Sequence, residues 1–147
     1  MSAPEVDVAR IRGAGSGPGP TIIRTAALSY IVLGLGFGIG AAVTLWHLDR
    51  HGELPMTPWG FRSLDGGPFV QLSVERFTGL GWGLVAVCAA DVISGVLLWQ
   101  RRRAGAVIAL ITSPVSVVLG VGFALPFLLV GVPIRLALVL AGRRSLR

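Results

Sequence analysis

The chain has 147 residues, 53% of them hydrophobic and only 14% charged, and its mean hydropathy is +0.76. A soluble domain carries about 25% charged residues, so this composition excludes an ordinary water-soluble fold and points to a single-domain polytopic membrane protein. The net charge is +6 and every one of the 13 basic residues is arginine; they flank apolar segments rather than line a polar face, which reads as membrane-orienting charge and argues against a nucleic-acid partner.

Residues 1–21 contain "GAGSGPGP" and no hydrophobic period, which predicts a disordered tail. That tail is too polar and too long for the start of a signal peptide, and the apolar run behind it outlasts a normal signal core, so no cleavage is expected. The first span is predicted over 22–48, with Arg24 snorkelling at its start and Trp46 and His47 at its far interface. Residues 49–76 form the one sizeable aqueous loop. Pro55, Pro58 and "DGG" at 65–67 are turn signals, and "FVQLSV" alternates as a short strand that could pair with "WGFRSL". The alternative is a loop lying on the membrane through Trp59, Phe61 and Phe69. Spans two, three and four are predicted over 77–100, 104–119 and 125–141, the third with Pro114 inside and the fourth with Pro126 and Pro133. The last two are short. They read as a helical hairpin, or alternatively as a re-entrant pair. The expected fold is therefore an all-α integral membrane bundle of four transmembrane helices.

Charge sets the expected orientation. With four spans, Arg10, Arg12, Arg24, Arg101, Arg102, Arg103, Arg143, Arg144 and Arg147 share one side, and only Arg50, Arg62 and Arg76 lie on the other. The richer side is expected to be cytoplasmic, which places both termini inside a bacterial cytoplasmic membrane and the 49–76 loop outside.

"LGLGFGIG" is not a dinucleotide fingerprint, because its spacing is wrong and no strand precedes it. Gly34 and Gly38 lie on one helix face, and Gly36 and Gly40 lie on nearly the opposite one. Gly79 and Gly83 repeat the spacing in span two. Each pair permits close helix approach, within this bundle or to a second subunit.

Two charges lie deep in apolar runs. Asp91 is ten residues from Arg101, and Arg135 is eight from Arg143, depths of about 15 and about 12 Å. A bare charge at mid-membrane costs about 3 kcal/mol on insertion scales, so the two are expected to form an intramembrane ion pair. Ser94 lies on the Asp91 face, while Thr112 and Ser113 reach the same level from span three; all three are expected to support the pair. Pro114 frees the carbonyl of Leu110 as a further acceptor. The pair reads as a structural lock between helices, or alternatively as a proton or ion relay.

The remaining chemistry is sparse. His47 and His51 could share a helix face, but two histidines do not make a metal site, and no cysteine joins them. No zincin, nucleophile-elbow or phosphate-loop motif occurs. No histidine lies at the depth a haem would need. No cofactor and no metal are expected. Asp49, Glu53, Asp65 and Glu75 read as solvated loop charges, or as catalysts of a lipid-directed enzyme.

The stretch "GVLLWQRRRAGAVIALITSPVSVVLGVGFALPFLLVGVPIRLALVLAGRR", with its W-x-R-R-R turn, proline-marked hairpin and arginine-rich end, resembles the small four-span membrane proteins of high-GC, actinobacteria-like genomes. That resemblance implies a fold but no activity. Four spans are also similar to small multidrug transporters, but this chain has no acid in its first span, and its loop is foreign to such compact proteins. The expected function is a non-enzymatic accessory or scaffolding subunit that contacts lipid and another membrane subunit, or itself. A small oligomeric transporter or channel built around Asp91 is the alternative.

Overall fold

The computed structural model describes residues 19–147 except 59, 61, 144, 145 and 147. Four α-helices carry the fold: α1 Gly19–His51, α2 Val74–Trp99, α3 Arg103–Gly122 and α4 Pro126–Gly142, with a 3-10 turn at Pro68–Gln71 before α2. The first three are long and apolar enough to cross a membrane, and the 17-residue α4 is shorter. The predicted tail lies outside the described residues, except that residues 19–21 already belong to α1. Each helix runs one to three residues past at least one of its expected ends, so the loop shrinks to residues 52–73.

Local chemistry fixes the boundaries. α1 is free of proline after Pro20, and where no water competes for the backbone its glycines do not break it. It stops at Gly52, whose φ of 72° is left-handed and whose N–H closes back on the Leu48 carbonyl at 2.8 Å. α2 starts after Ser73 with Glu75 in its first turn, where a carboxylate suits the helix dipole. Its end is a Schellman turn: Arg102 N–H bonds Leu97 O and Arg101 N–H bonds Leu98 O, both at 2.9 Å. α3 ends the same way, with Leu125 N–H on Gly120 O and Ala124 N–H on Val121 O. Pro126 then opens α4, where a missing N–H costs nothing.

The expected strand pair does not form. "FVQLSV" is divided between the 3-10 turn and the first turn of α2, and the described loop has only one isolated bridge, Met56 to Arg62. A lone two-stranded ribbon is marginal, whereas docking the 3-10 turn on the bundle half-buries an aromatic ring. Phe69 meets Phe123 edge-on at 5.2 Å, and Phe123 meets Phe77 at 5.4 Å. A Cβ at Gly122 would sit inside the Phe69 ring, and one at Gly67 would collide with the Gly122 carbonyl. Phe69 thus turns toward the bundle rather than out to a membrane surface. Trp59 and Phe61 lie outside the described residues.

The helices form a ring: α1 packs on α2 and α4, and α3 packs on the same two, so α2 and α4 face each other across the diagonal. Two apolar clusters fill the centre. One, at the end bearing Arg101–Arg103, includes Ile23, Ala27, Tyr30, Leu98, Ala109 and Val139. The other, at the loop end, includes Ala41, Phe77, Leu84, Cys88, Leu119 and Phe123. Outside, the stripe Leu28, Val32, Leu35, Ile39, Val43, Trp46 on α1 is exposed at helical spacing. Leu110, Ile111 and Val118 on α3, with Phe127, Val130 and Ile134 on α4, are exposed too. Such apolar outer faces suit hydrocarbon rather than water.

Candidate functional site

Between the two apolar clusters lies a polar node to which every helix contributes one side chain. Asp91 of α2 and Arg135 of α4 are 3% and 2% exposed. Arg135 Nη1 donates to Asp91 Oδ2 at 2.9 Å. Thr112 of α3 donates from Oγ1 to Asp91 Oδ1 at 3.1 Å. The Arg135 guanidinium lies over the Tyr30 ring of α1, 4.5 Å from its centroid. The structure thus brings Asp91 and Arg135 together across the diagonal, a gap that a long arginine can bridge. Both carboxylate oxygens are engaged, and the two formal charges cancel. Two buried polar atoms at the node have no hydrogen-bond partner: Tyr30 Oη and Arg135 Nε.

The other two expected supports touch neither Asp91 nor Arg135 in the hydrogen bonds they make. Ser94 Oγ donates to the Gly105 carbonyl at 2.7 Å, clipping α2 to the start of α3. That approach exists because Gly105 has no side chain; a Cβ there would stand 2.8 Å from Ser94 O and Leu98 N. Ser113 Oγ returns to Ala109 O at 2.6 Å in its own helix, one residue before the Leu110 carbonyl that Pro114 leaves free, and lies beside the Tyr30 hydroxyl. Tyr30 was not expected at the node. Its signal is faint: a single tyrosine inside an apolar span, whose hydroxyl has few partners within reach.

The glycine pairs divide. Gly34 and Gly38 face α2, where added Cβ atoms would meet Cys88 O at 2.9 Å and Cys88 Cβ at 3.1 Å. A Cβ at Gly36, Gly40, Gly79 or Gly83 would meet nothing within 4 Å, so none of these four makes a contact within this chain that requires glycine. The close contacts that α2 does make use Gly81 against Leu45 and Gly95 against Ala27 O and Ile31. Gly36 and Gly40 line a groove of about 230 Å³ with Thr44, Leu64 and Leu125.

His47 and His51 stack at 4.2 Å. Among the described residues, no three His, Cys, Asp or Glu side chains gather closely enough to hold a metal ion. Asp49, Glu53, Asp65 and Glu75 are all exposed. Comparison with known proteins gives no relative from which a role could be taken: no family model, no curated protein and no solved structure matches this chain.

Proposed function

We propose that the chain is a non-enzymatic, four-span subunit of a bacterial cytoplasmic membrane. Its termini and Arg101–Arg103 face the cytoplasm, and it acts as an accessory or scaffolding element for another membrane protein or for copies of itself. The observation that carries this reading is the contrast between inside and outside. Asp91 is held by two donors between two apolar clusters, an arrangement that locks helices. Gly36, Gly40, Gly79 and Gly83 are open to an approaching helix. The loop, docked through Phe69, offers a shaped surface at the far end. Purification at native level in mild detergent, with mass spectrometry of what co-elutes, tests the reading. A stoichiometric membrane partner or a defined self-oligomer supports it. A lone monomer counts against it.

A second reading, a small oligomeric transporter, draws on the unpartnered Tyr30 Oη and Arg135 Nε beside the carboxylate. Proton-driven flux in liposomes that Asp91→Asn abolishes, with the fold intact, would favour it.

A further inference from the structure

The arginine end of the bundle combines two features at one place. The first is charge that no carboxylate among the described residues offsets. Arg24, Arg101, Arg102, Arg103 and Arg143 stand at this end, whereas the described carboxylates are Asp49, Glu53, Asp65 and Glu75 near the loop and Asp91 in the interior. Arg24 is exposed, and its recorded partner is the Trp99 ring, 5.7 Å from its Cζ. The second is an apolar groove directly below. Leu28 and Ile31 of α1 with Val96, Trp99 and Gln100 of α2 enclose about 240 Å³. The same seam continues into a second groove of about 250 Å³ past Leu35 and Val92. Arg24, Leu28, Ile31 and Leu35 follow one another at i, i+4, i+7 and i+11, so the cation and the groove share one stripe of α1.

The dimensions select an occupant. From Arg24 to the level of Gly34 is ten residues, about 15 Å, half of a hydrocarbon core of about 30 Å. The groove beneath the cation therefore runs the depth of one leaflet. A parallel second copy would bring its own arginine end to the same level and face like charge with like. A lipid with a phosphate headgroup brings the opposite charge at the right height and an acyl chain that fits the groove.

We infer that the α1–α2 seam is a binding site for one anionic phospholipid, with its phosphate on Arg24 and one acyl chain along Leu28, Ile31 and Val96 toward Leu35. The inference rests on the reading that this end meets a membrane surface. Trp99 supports Arg24 from below, and its indole occupies the depth at which amphipathic rings settle.

Native mass spectrometry of the delipidated full chain, titrated with phosphatidylglycerol or phosphatidylcholine of identical chains, tests it. The wild type binds phosphatidylglycerol preferentially. Arg24→Gln lowers that binding roughly five-fold, the scale expected for one cation at an anionic surface. Arg24→Lys retains most of it, and Arg50→Gln at the loop end retains all. Leu28→Trp fills the groove from an exposed position and lowers binding with every arginine in place; Val43→Trp, farther along the same helix, does not. The Leu28 variant decides the matter should Arg24→Gln not fold. Unchanged binding in Leu28→Trp, or an equal loss in Arg50→Gln, overturns the site. Alkaline carbonate extraction separates the two levels of failure. A chain released from membranes removes the membrane reading itself, whereas an integral chain without lipid preference removes the site alone.

Discussion

At the residue scale, the Asp91–Arg135 contact is stable because each charge removes the other's need for water. Deleting one partner strands a buried charge, at a cost of about 3–5 kcal/mol, whereas replacing both by apolar groups of similar volume is often neutral. Asp91→Leu and Arg135→Met are therefore each expected to lower the melting temperature in detergent sharply, and the double variant to recover most of the loss. Strict additivity would show that the two side chains are not coupled. Thr112→Val removes a bond to a charged acceptor and should cost about 1.5–3 kcal/mol. Tyr30 gives a finer test. Tyr30→Phe keeps the ring under the guanidinium and deletes a buried hydroxyl that has only Ser113 beside it and no well-formed hydrogen bond, so stability should hold or rise. Tyr30→Leu loses the ring contact, worth up to about 2 kcal/mol when desolvated. Phe and Leu behaving alike would remove the cation–π contact from the account. Two charges inside apolar runs, at matching depths, made this pair legible in the chain. The ring contact was not legible, because it depends on how α1 and α4 pack. Ser94 shares the helix face of Asp91 but bonds a carbonyl that Gly105 brings near, a contact that depth alone does not reveal.

At the element scale, the apolar runs dictated four helices, and the proline and arginine marks set their order. Their ends were less legible, because two Schellman turns place ordinary residues where glycine is usual. Arg101 has φ 58° and Ala124 has φ 49°. A left-handed conformation costs an L-residue roughly 1–2 kcal/mol, so Ala124→Gly should raise stability by about 1 kcal/mol, read as a higher melting temperature. No gain would show that the turn adapts to its side chain. A 3-10 turn stands where a strand is expected, because alternation over six residues is also what a half-buried turn presents. What decides its conformation is the room at Gly122. Gly122→Ala should expel Phe69 from its place against Phe123, and the loop should then become more susceptible to protease while α1–α2 packing persists. A loop equally resistant in the variant would mean that the aromatic clasp does not hold it.

At the scale of the whole molecule, the helices differ in length in a way that bears on how they sit in a bilayer. α1 has 33 residues and α4 has 17, about 50 and about 26 Å, against a hydrocarbon core of about 30 Å. The excess of α1 lies at the loop end, where Leu48 and Leu54 form an apolar pocket with Phe77, so the loop packs against the part of α1 that outruns the α3–α4 hairpin. The tip of that hairpin, Phe123–Leu125, is covered on one side by Phe69 and Gly66 but leaves Ala124 exposed. A hairpin that crosses fully brings Ala124 to the same aqueous side as Met56; a re-entrant pair keeps it away from that side. Single cysteines in a Cys88→Ala background separate the cases with a membrane-impermeant maleimide on intact cells. Met56→Cys and Ala124→Cys should both be labelled from outside, and Arg102→Cys only after lysis. Labelling of Arg102→Cys from outside would invert the orientation that the arginines favour. Labelling of Met56→Cys without Ala124→Cys would leave two crossings and a re-entrant α3–α4 pair. Arg135 would then reach Asp91 from a helix that never crosses to the far side, and the ion pair would become the main anchor of that helix.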